Sequence, residues 1–107
     1  MIKYQYLQKG DLALTIATEL DRKNNVAFYS FCMKHPKDQF IKRSAREAIN
    51  DCPMYTVDID DHLTRNELLL AVLCDIYAKE RLNLPKHYRK YVLGLIFTYV
   101  NKEYWRS

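Results

Sequence analysis

The stretch that decides the fold is residues 12–33, Leu-Ala-Leu-Thr-Ile-Ala-Thr-Glu-Leu-Asp-Arg-Lys-Asn-Asn-Val-Ala-Phe-Tyr-Ser-Phe-Cys-Met. Leu12, Leu14, Ile16 and Leu20 alternate with Ala13, Thr15, Ala17 and Glu19, the period of two that belongs to a strand. Val26, Phe28, Tyr29 and Phe31 fill the other end with β-formers. Between the two lies Asp21-Arg22-Lys23-Asn24-Asn25, a polar cluster of turn residues. Two strands around one turn make a hairpin. In the second of them Tyr29, Phe31 and Met33 share one face and Val26, Phe28 and Cys32 the other. Apolar residues on both faces predict a central strand covered twice.

Reading outward toward the N-terminus, Ile2, Tyr4 and Tyr6 alternate with Lys3 and Gln5, which predicts a strand ending at Gly10-Asp11. Toward the C-terminus, Ile41, Ala45, Ala48, Ile49 and Cys52 recur at helical spacing. The expected start of that helix is His35-Pro36-Lys37-Asp38, with Pro in the first turn and Asp38 complementing the helix N-terminus; Pro53 stops it. Tyr55, Val57 and Ile59 then alternate as a fourth strand.

Thr64-Arg65-Asn66-Glu67 is a capping box, Thr at the cap and Glu three residues later, with Leu63 and Leu68 placed for a hydrophobic staple. The helix it opens runs to about Leu82, and its nearly continuous apolar residues 68–74 predict the most buried element of the chain. Pro85 opens a last helix that reaches about Tyr104. That helix carries two apolar stripes. Tyr88, Tyr91, Val92, Leu95, Ile96 and Tyr99 form one; Leu93, Phe97, Val100 and Tyr104 form another, which reads either as further core or as a surface for self-association into a homo-oligomer. The expected fold is therefore α+β: an antiparallel sheet of about four strands, one inserted helix, and a C-terminal helical hairpin packed on the sheet.

Size and composition agree with one domain over residues 1–107. An apolar content of 49% and a charged content of 28% exclude an intrinsically disordered chain. Three cysteines, Cys32, Cys52 and Cys74, are an odd number without metal-type spacing; a disulfide framework is not expected, and a reducing cytoplasm is the simpler setting. The first residues lack the apolar core of a signal peptide. The longest apolar run, Val92 to Val100, is too short to cross a bilayer. The net charge of +4 suits an acidic partner without demanding one.

Three constellations stand out. Residues 35–46 join a strand to a helix and carry Lys37, Lys42, Arg43 and Arg46, with Lys42 and Arg46 four apart on one helical face and Arg43 placed to pair with Glu47. They read as an anion-binding surface or as a solvated helix face. Lys86, Arg89 and Lys90, interleaved with Tyr88 and Tyr91, would supply phosphate contacts and ring stacking to nucleic acid, or else form a polar helix face with buried rings. Asp58, Asp60, Asp61 and His62 crowd at a strand end. They suit Mg²⁺ or Mn²⁺, and with it phosphoryl transfer, but suit a turn before a helix better, so no metal or cofactor is assigned. The cysteines sit in apolar patterns and read as core. With no catalytic constellation in view, the expected protein is a binding protein and not an enzyme.

The segment from Phe31 to Ile49 resembles a pattern in small proteins of tailed bacteriophages. There an aromatic-rich strand runs into a Pro-Lys-Asp-x-Phe turn and then a helix with basic residues; the matching positions are Pro36, Lys37, Asp38, Phe40, Lys42, Arg43 and Arg46. The match departs at Ala45, where the pattern has glycine. Some small early phage proteins blunt host immunity by binding a defence complex or sequestering a signalling nucleotide. The resemblance implies an inhibitor of that kind, an anti-CRISPR or similar anti-defence protein in the cytoplasm of the infected cell, with Lys37, Lys42, Arg43 and Arg46 on its working surface. Its partner would be a host defence protein or an acidic nucleotide. A nucleic-acid-binding accessory protein using the last helix is the alternative.

Overall fold

The computed structural model describes residues 2–34, 41–59 and 64–104, with side chains described through residue 101. Two units divide the chain, residues 1–58 and 59–107.

The first unit is a four-stranded antiparallel sheet with one helix. Its strands are β1 (Lys3–Lys9), β2 (Leu12–Asp21), β3 (Val26–Met33) and β4 (Tyr55–Asp58), ordered β1-β2-β3-β4. The helix, α1 (Lys42–Ile49), is inserted between β3 and β4. The hairpin read from residues 12–33 is present, with Asp21 opposite Val26 and Leu14 opposite Met33. Its loop is closed by Asp21, whose carboxylate accepts from the Asn24 backbone N–H at 3.2 Å and from Asn24 Nδ2 at 2.8 Å, while Asn25 takes a positive φ of 54°. These bonds, that from the Asn24 side chain first, hold the Asp21 carboxyl below its ordinary pKa.

β1 and β2 meet around Gly10-Asp11, with Lys9 opposite Leu12. Gly10 has φ +59° and Asp11 is not left-handed, the pattern of a type II′ turn, whose first central position glycine occupies without strain. The two-residue loop matches the twist of its flanking strands and fixes an unbroken register from Lys3↔Thr18 to Lys9↔Leu12.

Opposed residues of an antiparallel pair share a face. One face therefore presents Tyr4, Tyr6 and Gln8 of β1, Ala13, Thr15, Ala17 and Glu19 of β2, and Phe28, Ser30 and Cys32 of β3. α1 packs on this face against β2 and β3. Its anchors are Ala45 and Ile49, its buried residues, and Cys32 Sγ lies 3.7 Å from the Ala45 carbonyl oxygen it donates to. The other face carries Leu14, Ile16, Ala27 and Tyr29, all at most 1% exposed. On it the Tyr55 ring of short β4 stacks on its cross-strand partner Tyr29, with centroids 5.3 Å apart, and on Phe31 at 6.0 Å.

The second unit holds α2 (Arg65–Glu80) and α3 (Lys86–Tyr104), joined by a short connection and packed as a helical hairpin. The Thr64 half of the capping box forms: its hydroxyl oxygen accepts from Glu67 N–H at 3.2 Å. Leu63, the other half of the expected staple, lies outside the described residues. Asn83 closes the C-terminal end, donating from its backbone N–H to the Glu80 carbonyl at 2.8 Å and from Nδ2 to the Glu80 carboxylate at 3.0 Å.

Two expectations need correction. The most buried element is β2, not α2: Ala13 to Thr18 are buried without alternation, whereas α2 buries only Leu69, Val72, Leu73 and Ile76, a stripe at helical spacing, and leaves Cys74 exposed. The inserted helix also begins later than its spacing predicts. Ile41 is extended, at φ −129° and ψ 118°, with its side chain exposed, so it stands at the cap and not within the helix. His35, Pro36, Lys37 and Asp38 lie outside the described residues.

Candidate functional site

α1 is eight residues long, about 12 Å, while the ten residues of β2 run about 33 Å. The helix is thus much shorter than the strand it packs on. Toward β1, Lys42 and Arg46 project together, one turn apart, and both meet the same side chain. Arg46 Nη1 donates to the Tyr6 hydroxyl oxygen at 2.9 Å, and Lys42 Nζ stands 4.9 Å from the Tyr6 ring centroid as a cation–π contact. The Tyr6 oxygen raises the Arg46 pKa further, with Tyr4 and Glu47 adding to the effect, so the guanidinium is a permanent cation. Arg43 points away and pairs with Glu47 at 3.4 Å on the exposed side of the helix. Such an exposed pair is weak and exchanges readily with another anion.

The expected face shared by Lys42 and Arg46 and the Arg43–Glu47 pair are thus present. Lys37 lies outside the described residues. What sequence reasoning missed is Tyr6. Period two puts Tyr4 and Tyr6 on one face of β1, but which side of α1 would land on them depends on packing between distant elements.

At the C-terminal end of α1 this face forms a half-open groove of about 130 Å³. Tyr4, Ala17, Glu19, Phe28, Ser30 and Ile49 are among the residues that line it. Cys52, also at this end, donates to the Ala48 carbonyl oxygen at 3.5 Å. Burial pushes the Cys52 thiol pKa up; burial first and proximity to Cys52 second push that of Cys32 up. Neither is primed as a nucleophile.

On α3 the two stripes separate. Tyr88, Tyr91 and Val92 are buried, and Leu95, Ile96 and Tyr99 are half-buried. In the second stripe Leu93 is exposed, Phe97 is 60% exposed and Val100 half-buried; the Tyr104 side chain lies outside the described residues. Of the basic group, Lys86 and Lys90 are exposed, but Arg89 turns back and donates from Nη2 to the Leu84 carbonyl at 3.4 Å. Its Nε is buried without a hydrogen-bond partner. With Tyr88 2% and Tyr91 7% exposed, neither ring is placed to stack on a base. Burial also raises the Tyr91 pKa.

Asp58 ends β4 with its side chain in solvent; Asp60, Asp61 and His62 lie outside the described residues. Among the described residues no cluster of His, Cys, Asp and Glu could hold a metal ion, and no helix is long and apolar enough to cross a membrane. No family model, curated protein or solved structure matches the chain.

Proposed function

We propose that this chain is a binding protein that captures an acidic partner on the surface made by α1 and β1, and that it serves as an inhibitor of a host defence system. The observation that carries the binding surface is the gathering of Lys42 and Arg46 on Tyr6. Two cations already held by one ring lose less side-chain freedom when a partner arrives than two free ones would, so more of the electrostatic attraction is left for affinity. Arg43 adds a third cation whose present partner, Glu47, is exposed and easily displaced. The anti-defence role comes from the resemblance of residues 31–49 to phage proteins. The exposed Leu93 and Phe97 of α3 supply a second surface, suited to another copy of the chain.

Native mass spectrometry of the purified protein, before and after incubation with lysate of a defended host, tests this reading. The expected result is a bound acidic protein or nucleotide with the wild type and none with a folded Lys42→Glu/Arg46→Glu variant. An unliganded wild type, or a partner retained by that variant, would contradict it.

A further inference from the structure

The outer edge of β1, the end strand of the sheet, lies beside the cations of α1. Among the described residues, β1 heads the sheet order and pairs with β2 alone. Edge strands are commonly protected by proline, by bulges or by brevity. β1 has no proline, its seven residues keep an unbroken register with β2, and Tyr4 and Tyr6 favour extended backbone. Among the described residues, the protection that remains is charge. Lys3 and Lys9 stand exposed at its two ends, on the face opposite Tyr6, and no acidic residue lies between them.

That charge pattern selects among occupants. Two copies of β1 paired antiparallel about Tyr6 would set Lys3 against Lys9 at both ends, and like charges directly opposed destabilise a ladder. An acidic strand would meet the reverse. On one face its side chains would lie beside Lys3 and Lys9, about 20 Å apart. On the other they would lie beside Tyr6 with Lys42 and Arg46 above it. A strand added at the usual spacing of about 4.8 Å sits within reach of both groups. We propose that β1 accepts an extended acidic segment of a partner protein as a fifth strand, its backbone pairing supplying affinity and the four cations selecting acidic side chains. This rests on the reading of α1 and β1 as the acidic-partner surface and names how that surface is used.

The probe is a capped synthetic peptide in which glutamate alternates with valine, titrated into the full chain. Two versions carry backbone N-methyl groups at alternate residues, one on each edge, and a lysine-for-glutamate version controls for charge. The expected result is binding of the glutamate peptide, slowed hydrogen exchange at Lys3–Lys9 amides, no binding of the lysine peptide, and at least about tenfold loss for one N-methylated version only. Equal binding of both N-methylated versions would overturn strand addition while leaving the cationic surface intact as a docking site. Failure of the glutamate peptide to bind at all would overturn the inference, and if Lys42→Glu/Arg46→Glu also kept its cellular partner, the reading beneath it would fall as well.

Discussion

Ile49 decides whether the cationic surface exists. It is 4% exposed, and with Ala45 it makes up the buried side of a helix of only two turns. An isolated helix of this length does not hold in water, so α1 depends on its docking. Replacing Ile49 by Ala removes the larger of the two anchors. Substitutions of this kind in cores cost about 2–5 kcal/mol. Ile49 also lines the half-open groove, where water can occupy the space left behind, which places the cost near the lower end, at about 2 kcal/mol. For a unit of this size that lowers Tm by about 8–16 °C. Circular dichroism on heating measures the shift, and hydrogen exchange reports whether α1 amides lose protection first. A shift under about 2 °C with α1 amides still protected would refute the claim that Ile49 docks the helix. Loss of α1 protection should bring loss of the Lys42–Tyr6–Arg46 arrangement, since the ring and its cations sit on different elements.

Three other outcomes follow from local geometry. Thr64→Ala removes the acceptor of the Glu67 N–H and should cost about 1 kcal/mol in denaturant unfolding, with Thr64→Ser close to neutral. Gly10→Ala should destabilise the β1–β2 hairpin by about 1 kcal/mol, and Gly10→Asn by less, because the space around Gly10 is open and only its positive φ resists a side chain. All three cysteines are free, and burial raises the pKa of each. Because only the thiolate reacts, alkylation followed by mass spectrometry should modify exposed Cys74 first as pH rises. Cys32, more deeply placed and bonded to the Ala45 carbonyl, should be last.

Much of the fold is legible in the residues themselves because its signals are local. Asp21 to Asn25 announces a turn, Thr64 and Glu67 a helix start, and Lys42 and Arg46 a shared face; each depends on neighbours within four residues. The misplaced expectations concern what lies across space. The apolar run at residues 68–74 exceeds the stripe α2 needs, so hydrophobicity alone did not reveal that Cys74 faces out. β2 offers Ala13, Thr15, Ala17 and Thr18, small or weakly apolar side chains that look unremarkable in a list, yet they are buried because β2 is an inner strand and α1 lies on the face that Ala13, Thr15 and Ala17 share. Ile41 matches the helical spacing of Ala45 and Ile49, but its extended backbone puts it at the cap. The role of Tyr6 needed the pairing of β1 with β2 and the landing side of α1, a relation spanning 40 residues.

The most direct test of the acidic-partner surface is its effect in an infected cell. A defended bacterial host expressing the wild-type chain, or a Lys42→Glu/Arg46→Glu variant shown to be folded, is challenged with a phage that its defence restricts. The expected result is plaquing restored by the wild type and not by the variant. Restored plaquing with the variant, or none with the wild type, would contradict the proposed function.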